Sequence, residues 1–235
     1  MSSEKHIVSF SGGKDSTAML LRMIEENMQI DEIIFCDTGV EFPDMYEHIE
    51  KVKNYIQRDI TILKNKYSYE YYLLEHLKTK GKNKGKKGLG WSNFRNRWCT
   101  GNLKTNVFNK YIKDKYTDCK IIRYIGIAFD EQNRLGNYEY PLIDFKMTEK
   151  DCLNYCYNKG FNWNGLYEKF DRVSCYLCPL QRLDELEIIY NSYPKLWNHM
   201  KDLDKRSVKV LGWKFRSDYS IEELELKFNK EKEDV

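Results

Sequence analysis

No stretch of this sequence comes near the ~20 consecutive apolar residues that a membrane-spanning helix needs, so no membrane partner is expected. The first residues, Met1-Ser-Ser-Glu-Lys-His6, lack the basic-then-apolar pattern of a secretory signal and lead straight into a strand-like run, which predicts a cytoplasmic protein. Neither charge sign dominates: 39 Lys and Arg against 36 Asp and Glu leave +3, too little on its own to mark a nucleic-acid binder. Histidine is scarce, and His6, His48, His76 and His199 show neither metal-ligand spacing nor a Ser/His/Asp pattern. Cysteines are seven, an odd number without an export signal, which argues against a disulfide framework. What is present is globular. With 235 residues, 41% hydrophobic and 32% charged, the chain is long enough for one domain, or one with a smaller appendage.

The first half alternates strand and helix signals. His6–Phe10, Glu32–Cys36, Asp59–Leu63 and Ile121–Gly126 read as short buried strands. Between them, Thr17–Ile24 has the apolar density of a core-facing helix, and Tyr46, Ile49, Val52 and Ile56 keep helical spacing after Pro43. Strands separated by helices imply right-handed βαβ units, so the expected fold class is α/β with a doubly wound parallel sheet. From Thr148 onward the pattern is helical, with Leu183–Met200 read as one or two helices and Ser220-Ile-Glu-Glu223 as a capping-box start. The expected division is an α/β domain over 1–145 and a helical, cysteine-bearing subdomain over 146–235. Trp163, Tyr167, Trp197 and Trp213 are expected to be packing aromatics of that subdomain.

Between the third and fourth strands lies an irregular region, Lys78–Thr100. Lys78, Lys80, Lys82, Lys84, Lys86 and Lys87 alternate with Gly81, Gly85, Gly88 and Gly90, a composition that cannot build a core and predicts a mobile loop. It reads as a solvated loop, as a lid over a phosphate-rich ligand, or as a clamp on a nucleic-acid backbone.

Ser9-Phe-Ser-Gly-Gly-Lys-Asp-Ser-Thr17 carries the most chemistry. A buried strand ends, two glycines permit a tight turn, and a helix begins, which aims free backbone amides and the positive end of a helix dipole at one point. Gly12 and Gly13 leave room for an anion; Ser11, Ser16 and Thr17 add hydroxyls and Lys14 adds charge. Asp15, unusual beside an anion, is read as positioning a metal ion or the loop itself.

This segment resembles the PP-loop signature Ser-Gly-Gly-x-Asp-Ser/Thr of the ATP pyrophosphatase superfamily. Cys36-Asp-Thr-Gly-Val-Glu-Phe-Pro43 resembles the Asp-Thr-Gly-x-x-Phe-Pro segment of the phosphoadenosine phosphosulfate (PAPS) reductase family. Arg97-Trp-Cys-Thr-Gly-Asn-Leu-Lys104 is similar to its Arg-x-Cys-x-x-x-x-Lys stretch. Gly126-Ile-Ala-Phe-Asp-Glu131 with Arg134 is similar to Gly-x-Arg-x-x-Glu-x-x-x-Arg, with Ala128 in place of the first arginine and a shorter step to the second. The resemblance runs from about Lys5 to Pro179. It implies an adenine nucleotide, ATP or a PAPS-like molecule, bound by Ser9, Ser11, Gly12, Gly13, Lys14, Asp15, Ser16, Thr17, Asp37, Thr38, Lys104, Gly126, Glu131 and Arg134, with Mg²⁺ neutralising the phosphates. Lys14, Asp15 and Cys99 are the candidate catalytic residues.

The resemblance also bears on the cysteines. Relatives with an iron–sulfur cluster use a Cys-Cys pair in the Arg-x-Cys region plus a later Cys-x-x-Cys. Here Cys99 matches one member of the first pair, Trp98 stands at the other, and Cys175 and Cys178 match the later pair. The expected metal site is a [4Fe–4S] cluster on Cys99, Cys175 and Cys178, with an open iron or with Cys156, Cys152 or His199 as fourth ligand; zinc on the same thiols is the alternative. Cys152 and Cys156, one helical turn apart, are otherwise read as core residues. Sulfonucleotide reductases of the family attack with a cysteine in a C-terminal tail, whereas nothing after Cys178 here is cysteine. The leading expectation is therefore an adenylating, pyrophosphate-releasing sulfurtransferase, with a nucleic-acid acceptor and a sulfur-donor protein as implied partners. Thiol-dependent sulfonucleotide reduction and a non-catalytic nucleotide sensor with structural zinc are the alternatives. The sequence leaves the oligomeric state open, a homodimer included.

Overall fold

A computed structural model of the chain describes residues 3–173 and 175–233. In chain order the elements are β1 (Ser3–Ser9), α1 (Lys14–Glu25), β2 (Glu32–Asp37), α2 (Pro43–Ile56), β3 (Thr61–Lys64), α3 (Tyr69–Leu74), α4 (Asn106–Lys115), β4 (Cys119–Ile125), α5 (Pro141–Asp144), α6 (Glu149–Asn158), α7 (Leu166–Lys169), α8 (Leu183–Ser192), α9 (Pro194–Leu211) and α10 (Ile221–Glu233). A π-helical turn, Thr100–Thr105, leads into α4, and a 3₁₀ turn, Phe129–Arg134, follows β4. This is an α/β fold with a central parallel sheet flanked by helices, plus a small helical C-terminal part. No helix among the described residues is long and apolar enough to cross a membrane.

The four strands are parallel in the order β3-β2-β1-β4. Because the sheet is covered by helices, its middle strands are apolar on both faces: Ile7, Val8, Ile33, Ile34 and Phe35 are all buried. Residues two apart share a face, so Ile7 of β1 and its neighbours Ile34 and Leu63 in β2 and β3 form one layer with Phe108 of α4.

By contact the chain separates into two compact units. The first comprises Met1–Asp37, Glu41–Lys64 and Thr105–Val173 and holds the sheet; the second comprises Thr38–Val40, Asn65–Lys104 and Ser174–Val235. The second unit is built on aromatic and buried polar contacts. Asp204 of α9 accepts from the Trp91 indole at 3.1 Å and from the Ile221 amide at 2.8 Å, which ties the 88–98 segment to α9 and α10. Trp98 packs on Tyr69 at 4.9 Å and donates to the Gly90 carbonyl at 2.9 Å. The region expected to be one loop thus divides. Lys80–Lys87 is an exposed turn, while Trp91, Ser92 and Trp98 are buried. The helical stretch expected over Leu183–Met200 is two helices, broken where Pro194 cannot continue α8. The capping boxes at Thr148 and Ser220 form, through Asp151 and Glu223.

At the start of β2, buried Glu32 accepts hydrogen bonds from Thr61 (2.6 Å), Tyr111 (2.6 Å), Lys115 (2.9 Å) and Tyr116 (2.6 Å), joining β2 to β3 and to α4 and the residue after it. Burial alone would raise its carboxyl, but the bonds from Lys115, Thr61, Tyr111 and Tyr116 outweigh it and hold the carboxyl at about 2, against 4.5 ordinarily. A depressed carboxyl contributes stability above its unfolded value that is lost as pH falls through the folded one. The wild-type chain should therefore lose on the order of 2 kcal/mol between pH 4.5 and pH 2 through this residue. Glu32→Gln should be less stable at pH 7 and show a flatter acid limb, measured by urea unfolding at pH 7 and pH 3.

Candidate functional site

From β1 the chain moves outward to β2 and β3, then returns to place β4 on the other side of β1. The loops after β1 and β4 therefore start side by side at the C-terminal ends of two neighbouring parallel strands where the strand order reverses, the place at which open α/β sheets take their ligands. Residues 10–13 follow β1 and Gly126 follows β4. A Cβ on Gly126 would stand 2.8 Å from the Ser16 nitrogen and 2.9 Å from its Cα, so only glycine lets the β4 end rest on the backbone of α1's first turn.

The loop after β1 is held in shape from several sides. Gly12 has φ +79°, and a Cβ there would meet Met45 Sδ at 2.6 Å. The Trp163 indole donates to the Gly12 carbonyl at 2.7 Å, and the Lys14 amide donates to the Tyr167 hydroxyl at 2.9 Å. The Ser16 hydroxyl accepts from the Ser11 amide at 3.2 Å and donates to the Gly13 carbonyl at 3.0 Å. Gly13, the residue before α1, brings no side-chain cap, and no hydrogen bond to the amide of Asp15 or Ser16 is found among the described residues. Trp163 itself stands on a tight turn. Trp163, Asn164 and Gly165 all have positive φ, and Asn164 donates to Asp44 at 3.0 Å and Glu47 at 2.7 Å of α2.

Beside this loop three carboxylates converge. Single oxygens of Asp15 (α1), Glu131 (the 3₁₀ turn) and Glu149 (the first residue of α6) lie within 4.8 Å of one another. The Glu149 amide donates to Asp130 at 3.0 Å and the Phe129 amide to the Met147 carbonyl at 2.8 Å, which fixes the 3₁₀ turn to the start of α6. Lys14 bridges Asp15 (3.3 Å) and Glu149 (2.6 Å), and Arg134 pairs with Glu131. Burial pushes the Asp15 carboxyl up to about 6; Lys14 pulls against it, and Glu149 and Glu131 reinforce it. Burial also disfavours the Lys14 ammonium, but Asp15 and Glu149 outweigh that and hold it protonated above its usual range. Asp15 Oδ1 is buried with no hydrogen-bond partner. An all-oxygen, anionic donor set with one unsatisfied oxygen fits a hard divalent cation such as Mg²⁺ or Mn²⁺.

The expected cysteine-ligated [4Fe–4S] cluster, and the zinc alternative on the same thiols, are corrected by this arrangement. Among the described residues, the chelating side chains that converge are carboxylates, and Cys99, Cys175, Cys178 and Cys156 are absent from the group. All seven cysteines are free thiols. Cys156 is fully buried and donates to the Lys14 carbonyl at 3.5 Å, and burial pushes its thiol and those of Cys152 and Cys178 up, away from the thiolate form a cluster needs. Cys152 and Cys156 are core residues.

The remaining expected residues fall in two groups. Ser11, Gly12, Gly13, Asp15 and Ser16 form the loop mouth, with Gly126, Glu131 and Arg134 beside them. Thr17 is buried, bonding the Gly12 carbonyl and His48 (3.0 Å), and the Ser9 hydroxyl accepts from Arg123 at 2.7 Å. Asp37, at the end of β2, accepts from Tyr46 at 2.8 Å and pairs with Lys64 at 3.0 Å. Thr38, Cys99 and Lys104 belong to the second unit. Sequence reading missed Glu149, Trp163 and Tyr167 as loop partners. Trp163 and Tyr167 were expected to pack within a separate helical lobe and instead brace the loop in the first unit.

A raised carboxyl costs stability above its unfolded pKa. In the apo chain Asp15 should make stability fall as pH rises from 3.8 to about 6. Asp15→Asn should therefore melt higher than wild type at pH 7.5 and lose that advantage near pH 4. Millimolar Mn²⁺ should raise the wild-type melting temperature at pH 7.5 and leave the variant unmoved, as thermal denaturation would record.

Comparison with known proteins agrees with the geometry. Over 213 residues the chain is 31% identical to an uncharacterized protein of Methanocaldococcus jannaschii, a match covering 84% of this chain and 47% of that protein. A second uncharacterized protein of the same organism is 26% identical over 214 residues, covering 84% of this chain and 41% of its own length. An uncharacterized nin region protein of phage lambda is 27% identical over 169 residues, 61% of this chain and 57% of that protein. The chain thus spans about half the length of the curated relatives it matches. Residues 5–122, which contain the loop after β1 and the strands that frame it, match the phosphoadenosine phosphosulfate reductase domain, and the chain belongs to that family.

Proposed function

We propose that the first unit binds an adenine nucleotide with its phosphates over residues 11–16 and supports displacement at the α-phosphate, as an adenylating enzyme does. The observation that carries this reading is the uncapped start of α1 in a glycine turn, beside a carboxylate trio with one unsatisfied oxygen. Backbone amides at a helix start suit phosphate oxygens, and the family's substrate is itself an adenine nucleotide.

Each group then has a task. The Asp15 and Ser16 amides hold phosphate oxygens, while the Ser11 and Ser16 hydroxyls keep the loop open. Lys14 holds Asp15 and Glu149 in place and offsets their repulsion. Asp15, Glu131 and Glu149 would hold a divalent cation, which neutralises phosphate charge when bound. An acceptor oxygen attacking the α-phosphorus forms the new P–O bond as the bond to the β-phosphate breaks; pyrophosphate leaves, and the acceptor's proton passes to solvent.

Gly13 provides the test, because its backbone (φ −73°, ψ 167°) is one that a helix-capping Asp adopts readily. A Cβ there comes 3.3 Å from the Tyr167 hydroxyl, which must yield by a few tenths of an ångström, so Gly13→Asp should lower the melting temperature slightly while placing a carboxylate where the phosphate sits. Calorimetry with Mg-ATP should show binding to wild type weakened at least about tenfold in the variant, in line with the loss of a charge-assisted contact. Pyrophosphate release should fall with it. Equal ATP affinity in the two proteins would remove the loop from the site, and sulfite release from a sulfonucleotide without pyrophosphate release from ATP would move the activity to reduction.

A further inference from the structure

We propose that the second unit carries a binding surface for single-stranded nucleic acid, made by the exposed rings of Phe94 and Trp213 and the lysine turn of residues 78–87. The inference stands apart from the reading of the phosphate loop and uses none of its residues.

The first observation is charge segregation. From Leu77 through Lys104 there are nine lysines and arginines and no acidic residue, in a chain whose whole surplus is +3. Among the described residues, Lys80, Lys82, Lys84, Lys86, Lys87 and Arg95 form no ion pair with a carboxylate, although many lysines and arginines elsewhere do. The turn is folded. The Lys78 amide donates to the Lys86 carbonyl at 2.9 Å, and the Gly85 amide to the Lys78 carbonyl at 2.8 Å, so the ammonium groups are presented from a closed loop.

The second is a cleft of about 830 Å³ in the same unit, lined by Phe94, Arg95, Leu180, Trp213, Lys214 and Arg216 among others. Two of its lining rings are buried: Trp91 meets Phe215 edge-on at 4.9 Å. Its rim is aromatic and exposed. Phe94 is 86% exposed and Trp213 45%. Phe94 and Arg95 sit at the tip of a tight turn closed by reciprocal backbone bonds between Asn93 and Asn96 at 3.1 Å, with the Asn93 side chain accepting from the Arg95 and Asn96 amides. That turn pushes a phenyl ring into water, a cost that a stacking partner would recover. The Trp213 ring lies against Gly90, where a Cβ would come within 1.9 Å of it, and Lys78 stands 4.8 Å from its centroid. The lysine turn therefore begins against the aromatic face.

Unpaired cations beside solvent-facing rings match a polyanion whose charges alternate with flat, unpaired bases. A duplex hides its base faces, and an acidic peptide has none. Lys214 pairs with Glu223, and Arg216 binds the Pro179 and Gln181 carbonyls and Asp218; these two build the wall, leaving Arg95 and the turn for phosphate.

Fluorescence anisotropy with the full chain tests this, using a labelled 12-nucleotide single-stranded RNA, the DNA of the same sequence, its duplex, and polyglutamate as competitor. Saturable binding of one or both single strands, in preference to the duplex, is expected. Phe94→Ala should weaken it about tenfold and Phe94→Tyr should restore it, since one stacked base is lost and regained. Replacing Lys82, Lys84 and Lys86 together by Ala should flatten the log–log salt dependence by about 2. ATP affinity should be the same in wild type and Phe94→Ala, so failure here is separable from failure at the phosphate loop. No saturable binding of either strand, equal binding of the duplex, a silent Phe94→Ala, or polyglutamate competing as well as the oligonucleotides would each overturn the proposal.

Discussion

Putting a carboxylate into the first turn of a helix that is itself packed on another helix carries a desolvation cost, and the charges of the first unit are arranged around that cost at Asp15. The starts of α1 and α6 bring Asp15 and Glu149 together, and the positive ends of both helices favour negative charge there. Lys14 spans the pair, and Arg134 covers Glu131. Three carboxylates against two cations leave one net negative charge and one oxygen without a partner. The arrangement tolerates this as a protein alone and would be completed by a cation, so charge balance and the strand order of the sheet point at the same few ångströms.

Much of the framework was legible. Short apolar runs separated by helical spacing identified all four strands, with their ends displaced by a few residues, because a parallel sheet buried on both faces leaves continuous apolar stretches. The glycine turn after Phe10 was legible for the same kind of reason: few sequences place two glycines between a strand and a helix. The bracing of that turn was not. Glu149 follows a helix cap at Thr148 and looks like an ordinary acidic first-turn residue; Trp163 and Tyr167 look like core aromatics. Their tasks depend on α6 and α7 folding back onto α1, a long-range contact without local signature.

The cysteines show the opposite failure. Spacing and resemblance suggested a shared metal, yet burial governs what these thiols do. Cys156 and Cys152 fill the packing between α6 and α1, and a thiol kept protonated by an apolar surrounding is a small hydrophobe rather than a ligand. The lysine-rich region misled in a different way. Composition anticipated the exposure of its first half, which is nonetheless a hydrogen-bonded turn, but Trp91 and Trp98 in the second half are core residues of their unit, and one segment carries both an exposed cationic turn and an anchor for three helices.

The indole of Trp163 reaches the Gly12 carbonyl from a turn with successive left-handed residues, a conformation of about 1 kcal/mol or more per non-glycine residue that the surrounding contacts sustain. The match to the reductase domain ends at residue 122, whereas this clamp, Tyr167, Glu131 and Glu149 all lie beyond it. A fragment cut at the edge of the recognisable domain would keep every glycine of the loop and lose what gives it shape. The unit that has to be inherited, transplanted or expressed as one piece is therefore longer than the part that the family-domain match delimits, in keeping with archaeal relatives that align over 84% of this chain.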